Sequence, residues 1–264
     1  MVMRDHTSPS QVTSFFDCPL RWYFRNEGYK SPPPAFVHSG TGTHGGVALD
    51  LTHKIETGDL LTLDEVQDAV RDATNKAFDE KGVSLTKEEK ERGEKNIRGE
   101  AVDQAVAMTS HHHVKLAPTI DPAAVEMKAE LEIPGYPKIL MYLDIVERST
   151  NIRETKTIGR TPSEIKNNHI IQIDLYGLFQ WKMAGRFPQA MVDYLVRTKK
   201  PKHISYPHQV NMDGIRRVVT LIEVMEEAIE KGIFVPRLTA PYPHSEKYCG
   251  YWNICRFGGG TKGV

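Results

Sequence analysis

The fold is decided by the stretch Ile139-Leu140-Met141-Tyr142-Leu143-Asp144-Ile145-Val146, an apolar run that one acidic residue interrupts. A nearly continuous apolar run of this length predicts a central strand buried on both faces. A charge inside such a strand is costly unless it is paired or bound to a cation. Asp144 is therefore a candidate functional residue.

A second short strand is predicted from Asn151 to Thr157, after a turn around residues 148–151. Glu154 and Lys156 are two residues apart and so share one face of it, and the short turn brings both close to Asp144. Carboxylates are ligands for Mg²⁺ or Mn²⁺, and a lysine can orient a water molecule or offset charge on a phosphate. The set suits phosphodiester hydrolysis. A buried ion pair on a sheet explains these three residues equally well, because D…ExK also occurs by chance.

The flanking sequence predicts an α/β fold, with helices around a small mixed sheet. Residues 127–133 alternate apolar and polar side chains, which predicts a half-exposed strand, and residues 189–197 and 204–210 predict a further strand pair. Glu126 shares the polar face of the alternating strand with Lys128, Glu130 and Glu132. A solvated face is therefore the preferred interpretation of Glu126, although it is also a candidate acidic site residue.

Capping signals predict where the helices begin and end. Three Ser/Thr-initiated boxes are predicted to open helices, the third of which ends at Gly185. The boxes are Ser8-Pro9-Ser10-Gln11, Thr62-x-x-Glu65 and Thr161-Pro162-Ser163-Glu164. The glycine-rich step 40–46 is expected to open another helix, residues 87–108 to form one long exposed helix, and Gly232 to end the last helix.

Composition excludes some classes of protein. The 264 residues are 39% hydrophobic and 26% charged, and an apolar run long enough to cross a membrane is missing. The start lacks the apolar core of a signal peptide, and three cysteines do not suit a secreted disulfide scaffold, so we expect a soluble, cytoplasmic protein without a membrane partner. Basic and acidic residues balance at 34 each. A local basic cluster at Arg197, Lys199, Lys200 and Lys202 could still hold phosphates, although a solvated surface is the simpler interpretation.

Several motifs occur in a fixed order along the chain. These are Cys18-Pro19-x-x-Trp22, Gly40-x-x-x-His44, Asp144 with Glu154-Thr155-Lys156, Gln172-x-x-x-Tyr176 and a final Cys249…Cys255. In this order the chain resembles the PD-(D/E)XK nuclease superfamily and its RecB-like branch. The resemblance runs from residue 8 to about residue 255. It implies a restriction-endonuclease-like core with a helical N-terminal portion. We expect a single domain over 1–264, with a mainly helical part (1–120), a catalytic sheet core (121–210) and a C-terminal helix with a cysteine-containing tail (211–264).

The same resemblance implies roles for single residues. Asp144 and Glu154 would be metal ligands, Lys156 the catalytic lysine, and His44 a further ligand or a phosphate contact. Gln172 and Tyr176 lie one helical turn apart, so both can point at the site.

RecB-like nucleases of the AddB type and CRISPR-associated exonucleases carry a [4Fe–4S] cluster on four cysteines. Cys18, Cys249 and Cys255 match three of these positions. The fourth falls on Glu246 in a C-x-x-C spacing or on His244 in a looser one. Three alternatives stay open: an iron–sulfur cluster completed by His244, a Cys₃His zinc site, or a lost centre whose thiols pack as small apolar groups.

The implied function is a Mg²⁺- or Mn²⁺-dependent deoxyribonuclease, an exonuclease that processes DNA ends or single strands in recombination or repair. An endonuclease of the same superfamily and a non-catalytic DNA-binding subunit are the alternatives. The sequence Gly40 to Gly45 spells a dinucleotide fingerprint but follows a proline-rich loop instead of a strand, so that context is missing. Helicase motifs are missing as well, which predicts a stand-alone nuclease or one with separate recombination or replication partners.

Overall fold

The computed structural model describes residues 5–238, 244–246 and 248–263. Its strands are β1 (His6–Thr7), β2 (Pro122–Leu131), β3 (Lys138–Glu147), β4 (Ile152–Ile158), β5 (Gln189–Val196) and β6 (Lys202–Gln209). Its α-helices are α1 (Pro9–Asp17), α2 (Pro19–Asn26), α3 (Ala35–Thr57), α4 (Leu63–Lys81), α5 (Lys87–Arg92), α6 (Glu94–Lys115), α7 (Asn167–Ala184) and α8 (Met212–Glu230). A 3₁₀ turn at Ala117–Thr119 joins α6 to the sheet.

All six strands form one mixed sheet of the predicted type, although β1 was not predicted. β2 pairs antiparallel along one edge of β3, and the other edge of β3 pairs with β1 near its start and with β4 near its end. β4 and β5 are parallel, and β6 closes the sheet antiparallel to β5. Because β4 and β5 run in the same direction, their C-terminal ends meet at one end of the sheet.

Helices cover both faces of this sheet. Val192, Tyr194 and Val196 of β5 pack in the main core with residues of α7 and α8. Leu195 points to the opposite face, as strand alternation requires, and packs with Ile145 and with side chains of α3 and α6. The fold is thus an α/β sheet core of the expected type, flanked by helices with a helical N-terminal portion. Among the described residues, none of the helices has the length and apolar content that a bilayer crossing requires.

Two of the predicted helix starts are confirmed. Ser8 caps α1 by accepting a 3.2 Å hydrogen bond from the amide of Gln11, and Thr62 and Glu65 form a reciprocal capping box at α4. Cys18 ends α1 and precedes Pro19 at the start of α2, so the two helices are separate.

The prediction of a helix from Thr161 is wrong. α7 begins at Asn167, and residues 161–166 form an irregular segment held by the sheet. The hydroxyl of Tyr206 donates to the carbonyl of Pro162, and the amide of Lys166 donates to the hydroxyl of Tyr194. These tertiary hydrogen bonds take up backbone groups that the local capping signal would have used in a helix. The predicted end of α7 at Gly185 is confirmed, with a left-handed φ of 70°.

Two further helix predictions are corrected. The step 40–46 lies inside α3, where Gly42 and Gly46 let the helix backbone approach Thr74 and Val70 of α4. The predicted single helix over 87–108 is divided at Gly93, which has a φ of 85°. It is also not an exposed helix, because α6 buries one apolar stripe. That stripe comprises Ile97, Ala101, Ala105 and Met108.

Candidate active site

The candidate site lies where β3 and β4 separate. Ladder pairing between these strands is confined to Ile145 with Arg153 and Val146 with Ile152. At the next position Oδ2 of Asp144 accepts a 2.9 Å hydrogen bond from the amide of Thr155. The carboxylate thus takes the place of a ladder carbonyl and occupies the opening, which we call the β3–β4 fork.

Glu154 and Lys156 project from β4 on the face covered by α7. Nζ of Lys156 donates a short hydrogen bond to Oε1 of Glu154 and a 2.8 Å bond to Oε1 of Gln172. Nε2 of Gln172 in turn donates to Oε1 of Glu154 at 2.9 Å. One amide side chain from α7 therefore contacts both members of the ion pair.

Tyr176 lies one turn further along α7 and ties the helix to β3. Its hydroxyl donates to the backbone carbonyl of Tyr142 at 2.6 Å and accepts from Nε2 of Gln172 at 2.5 Å. Burial raises the pKa of this hydroxyl, and the negative charges of Glu154 and Asp144 add to the effect. The phenol therefore stays protonated and acts as a fixed donor.

The electrostatics of the site depend on burial. Burial and the charge of Asp144 raise the pKa of Glu154, Lys156 offsets part of this, and the resulting pKa is about 7. Burial alone would lower the pKa of Lys156, but Glu154 and Asp144 outweigh it and the net shift is upward. Oε2 of Glu154 is buried and has no hydrogen-bond partner among the described residues. A buried carboxylate oxygen without a donor is a position at which a cation would be stabilised.

His44 reaches the fork from α3. Its Nδ1 lies 3.4 Å from Oδ2 of Asp144. Burial lowers the pKa of His44, but the charge and contact of Asp144 outweigh burial and raise it overall. A Cβ on Gly40 would lie 3.0 Å from Oγ1 of Thr157, so glycine at this position lets α3 pack closely on β4. This contact explains why a glycine precedes His44 by one helical turn.

Glu126 lies beside these groups, and its side chain is exposed, as the solvated-face interpretation expects. Ligand atoms of His44, Glu126 and Asp144 all lie within 4.8 Å of one another. Pairing of Val125 with Ile145 and of Met127 with Leu143 sets Glu126 across from Asp144. Its backbone has a φ of 47°, in the left-handed region. The alternation along β2 predicts only an exposed side chain at residue 126. The register of β2 against β3 is what sets Glu126 beside Asp144.

These side chains are suited to hold a divalent cation. Carboxylates and an imidazole are the donors that Mg²⁺ and Mn²⁺ sites use, and Glu154 offers a buried oxygen without a partner among the described residues. Among the described residues, the set of His44, Glu126 and Asp144 is the only group of three metal-ligating side chains this close together.

The cysteines lie apart from the fork, in what we call the cysteine pocket. Cys18, Cys249, Cys255 and His244 all line it, between α2 and the C-terminal segment. The three thiols are free. Nε2 of His244 is buried and has no partner among the described residues, whereas Glu246 is exposed and does not line the pocket. Burial raises the pKa of the Cys249 thiol, and the neighbouring Cys18 and Cys255 raise it further.

Comparisons with known proteins agree with this geometry. The model of the PD-(D/E)XK nuclease superfamily matches residues 6–256. A crystal structure of a candidate exonuclease from Eubacterium rectale is similar, with a TM-score of 0.58 and 11% identity over 98% of this chain and 89% of that chain. The structure of SSO0001 matches with a TM-score of only 0.37 and 17% identity, over 62% of this chain and 79% of that chain. None of the curated protein sequences gives a significant match. The family match spans nearly the whole chain, and the chain therefore belongs to the PD-(D/E)XK nuclease superfamily.

Proposed function

We propose that the protein is a metal-dependent deoxyribonuclease that works from DNA ends or single strands. The observation that carries the proposal is the convergence of Asp144, Glu154, Lys156, His44 and Glu126 at the β3–β4 fork. The family supports phosphodiester hydrolysis. Action at ends is proposed in preference to internal cutting because the similar Eubacterium rectale protein is described as a candidate exonuclease.

The cation would be held by Asp144 and Glu154, with Glu126 and His44 as further ligands. When bound, a divalent cation supplies a Lewis acid and a more acidic water molecule. Lys156 then orients the attacking water or neutralises charge on the phosphate in the transition state. Gln172 fixes the lysine, and Tyr176 fixes Gln172, so that the ammonium group does not need to reorganise during the reaction.

The test compares linear duplex, single-stranded and covalently closed circular DNA, with Mg²⁺, with Mn²⁺ and with EDTA. We expect cleavage of linear DNA with metal and resistance of the circle. Cleavage of the circle would identify the endonuclease alternative. DNA binding without cleavage in either metal would favour a non-catalytic subunit in a repair or recombination assembly.

The variant Lys156→Met tests the site itself. Loss of the ammonium group should reduce cleavage at least about 100-fold, the usual cost of removing a charge-stabilising donor. DNA affinity should change little, because the basic cluster at Arg197, Lys199, Lys200 and Lys202 is unchanged. Lys76→Met is a matched control on the far side of α4, where the lysine is exposed. Cleavage by Lys156→Met at the parent rate would exclude this site.

We also propose that the cysteine pocket holds a metal centre with His244 as the fourth ligand. The unpartnered Nε2 of His244 and the three free thiols support it. The resemblance to nucleases that carry an iron–sulfur centre favours a [4Fe–4S] cluster, and a Cys₃His zinc site is the alternative.

Anaerobic purification followed by metal analysis tests this centre. We expect brown protein with absorbance near ~400 nm and iron that is lost in Cys18→Ser. Glu126→Gln, which leaves the pocket untouched, should keep its iron. Stoichiometric zinc in colourless protein would identify the second alternative, and metal-free protein would identify a pocket filled by thiols alone.

A further inference from the structure

An excess of unpaired positive charge lies where β4 and β5 end. We call this the basic surface. It consists of Arg160, Lys166, Arg197, Lys199, Lys200 and Lys202. None of these side chains forms an ion pair with a carboxylate that the structure describes, although many other cations of the chain do. The loops that carry them contain one acidic residue, the exposed Glu164.

Within the basic surface, the side chain of Arg197 is held in position by its surroundings. Its guanidinium carbon lies 5.1 Å from the ring centroid of Phe36 at the start of α3. Its Nε is buried and has no hydrogen-bond partner among the described residues. Burial lowers its pKa, with no carboxylate to oppose the shift. Half-buried arginines are ordinarily paired with an anion, whereas this one is held in position without a counter-charge among the described residues.

The backbone places Arg197 close to the catalytic groups. Its amide donates a 2.8 Å hydrogen bond to the carbonyl of Ile158, the last residue of β4. Ile158 follows Lys156 by two residues, which is about 7 Å along a strand. A polymer held at the β3–β4 fork would therefore reach Arg197 within a short span, and the exposed lysines 199, 200 and 202 lie beyond it.

We propose that the basic surface is the path along which a nucleic-acid strand leaves the β3–β4 fork, with Arg197 binding a phosphate next to the cleaved bond. The planar guanidinium matches two phosphate oxygens, and stacking on Phe36 fixes its orientation. Phe36 is 44% exposed and adds an aromatic face on which a base can stack. This inference rests on the proposed nuclease function, because it names how that site holds its substrate.

The test measures binding of a fluorescein-labelled single-stranded oligonucleotide by anisotropy, with the full chain in EDTA, between about 50 and 200 mM salt. Arg197→Gln should raise Kd about tenfold and reduce the slope of log K against log salt by about 0.7, the value of one phosphate contact on a single strand. Lys199→Gln with Lys200→Gln should reduce the slope by about 1.4. The control Arg71→Gln removes one positive charge from α4, as Arg197→Gln does from the basic surface, and should leave Kd and the salt slope at the parent values.

The outcomes separate the two proposals. If the parent protein cleaves DNA but the Arg197 and lysine variants bind with its affinity and slope, the basic surface is not the path. If the parent binds the oligonucleotide with these salt effects but never cleaves, the nuclease proposal fails and the surface stands. The double lysine variant keeps the test valid if Arg197→Gln does not fold, because both lysines are exposed.

Discussion

Oε1 of Gln172 accepts a 2.8 Å hydrogen bond from Nζ of Lys156, while Nε2 of the same amide donates to Glu154. The side chain of Gln172 thus presents its oxygen to the positive group and its nitrogen to the negative group, and holds both in place. Its orientation is set in turn by the hydroxyl of Tyr176. The helix that follows the catalytic strand therefore positions groups that already attract each other.

Gln172→Leu should lower kcat about 10- to 100-fold and leave KM for DNA nearly unchanged, because Lys156 loses its fixed orientation and not its charge. Tyr176→Phe, which keeps the ring and removes only the hydroxyl, should cause a smaller loss. Steady-state cleavage of a labelled oligonucleotide gives both constants. If the Gln172→Leu variant has the parent kcat, the Lys156–Glu154 ion pair does not need Gln172 to hold its orientation.

Metal binding should tighten as the pH rises through about 7. Glu154, whose pKa is about 7 in the metal-free protein, must lose its proton before it can bind a cation. We expect apparent Mn²⁺ affinity to fall up to about tenfold for each pH unit below 7 and to level off above it. Calorimetry in two buffers of different ionisation enthalpy measures the affinity and the released proton.

Glu126→Gln provides the second part of that experiment. The substitution should lower the affinity for Mn²⁺ at least about tenfold, which is the lower end of the effect of losing a group that supports a metal site. The steep pH dependence below 7 should persist, because Glu154 is intact. Equal affinity in parent and variant would remove Glu126 from the metal site.

His112 should make the protein sensitive to acid. It is fully buried, neither ring nitrogen has a partner among the described residues, and burial lowers its pKa to about 3. The unfolded chain takes up this proton near pH 6.5, so the free energy of unfolding falls as the pH drops below 6.5 toward 3, by up to about 1.4 kcal/mol per pH unit. His112→Leu should flatten this dependence. Urea unfolding at pH 7 and pH 5 measures it, and His6→Leu, at an exposed position, should retain the parent slope.

The α3–α4 contact should not tolerate a side chain at Gly46. A Cβ there would lie 2.2 Å from Cγ2 of Val70 and 3.0 Å from Cγ2 of Thr109. Gly46→Ala should therefore destabilise the protein by about 1–3 kcal/mol. Gly99 lies in α6 with open space around its Cβ position, and Gly99→Ala should stabilise by about 0.5–1 kcal/mol. Thermal unfolding measures both variants. The essential result is that Tm falls in Gly46→Ala and rises in Gly99→Ala.

The part of the site that sequence could predict is the part that depends on local spacing. Glu154 and Lys156 share a face because strands alternate, and Gln172 and Tyr176 share one because helices turn every 3.6 residues. Their convergence near Asp144 follows from a short turn and a short connection. The structure places these five residues where that reasoning expects them.

The part that could not be predicted depends on register and on tertiary hydrogen bonds. Glu126 enters the site because β2 pairs with β3 in one register, which the alternation of β2 alone does not determine. The start of α7 moves to Asn167 because tyrosine hydroxyls from β5 and β6 hold the preceding segment. Neither effect leaves a signal within the segment it alters.

The hydrogen bond from the Thr155 amide to Asp144 gives this residue a structural role in addition to its proposed metal-binding role. Truncating the side chain, as in Asp144→Ala, would leave a buried amide unsatisfied, since Thr155 is 1% exposed, whereas Asp144→Asn keeps an oxygen that can accept the bond. Removing the ammonium group of Lys156 leaves Glu154 free to take up a proton instead. Inactivity and misfolding are therefore coupled in Asp144→Ala and separable at Lys156. An inactive protein intended to trap DNA or to replace the enzyme in cells is best made at the lysine.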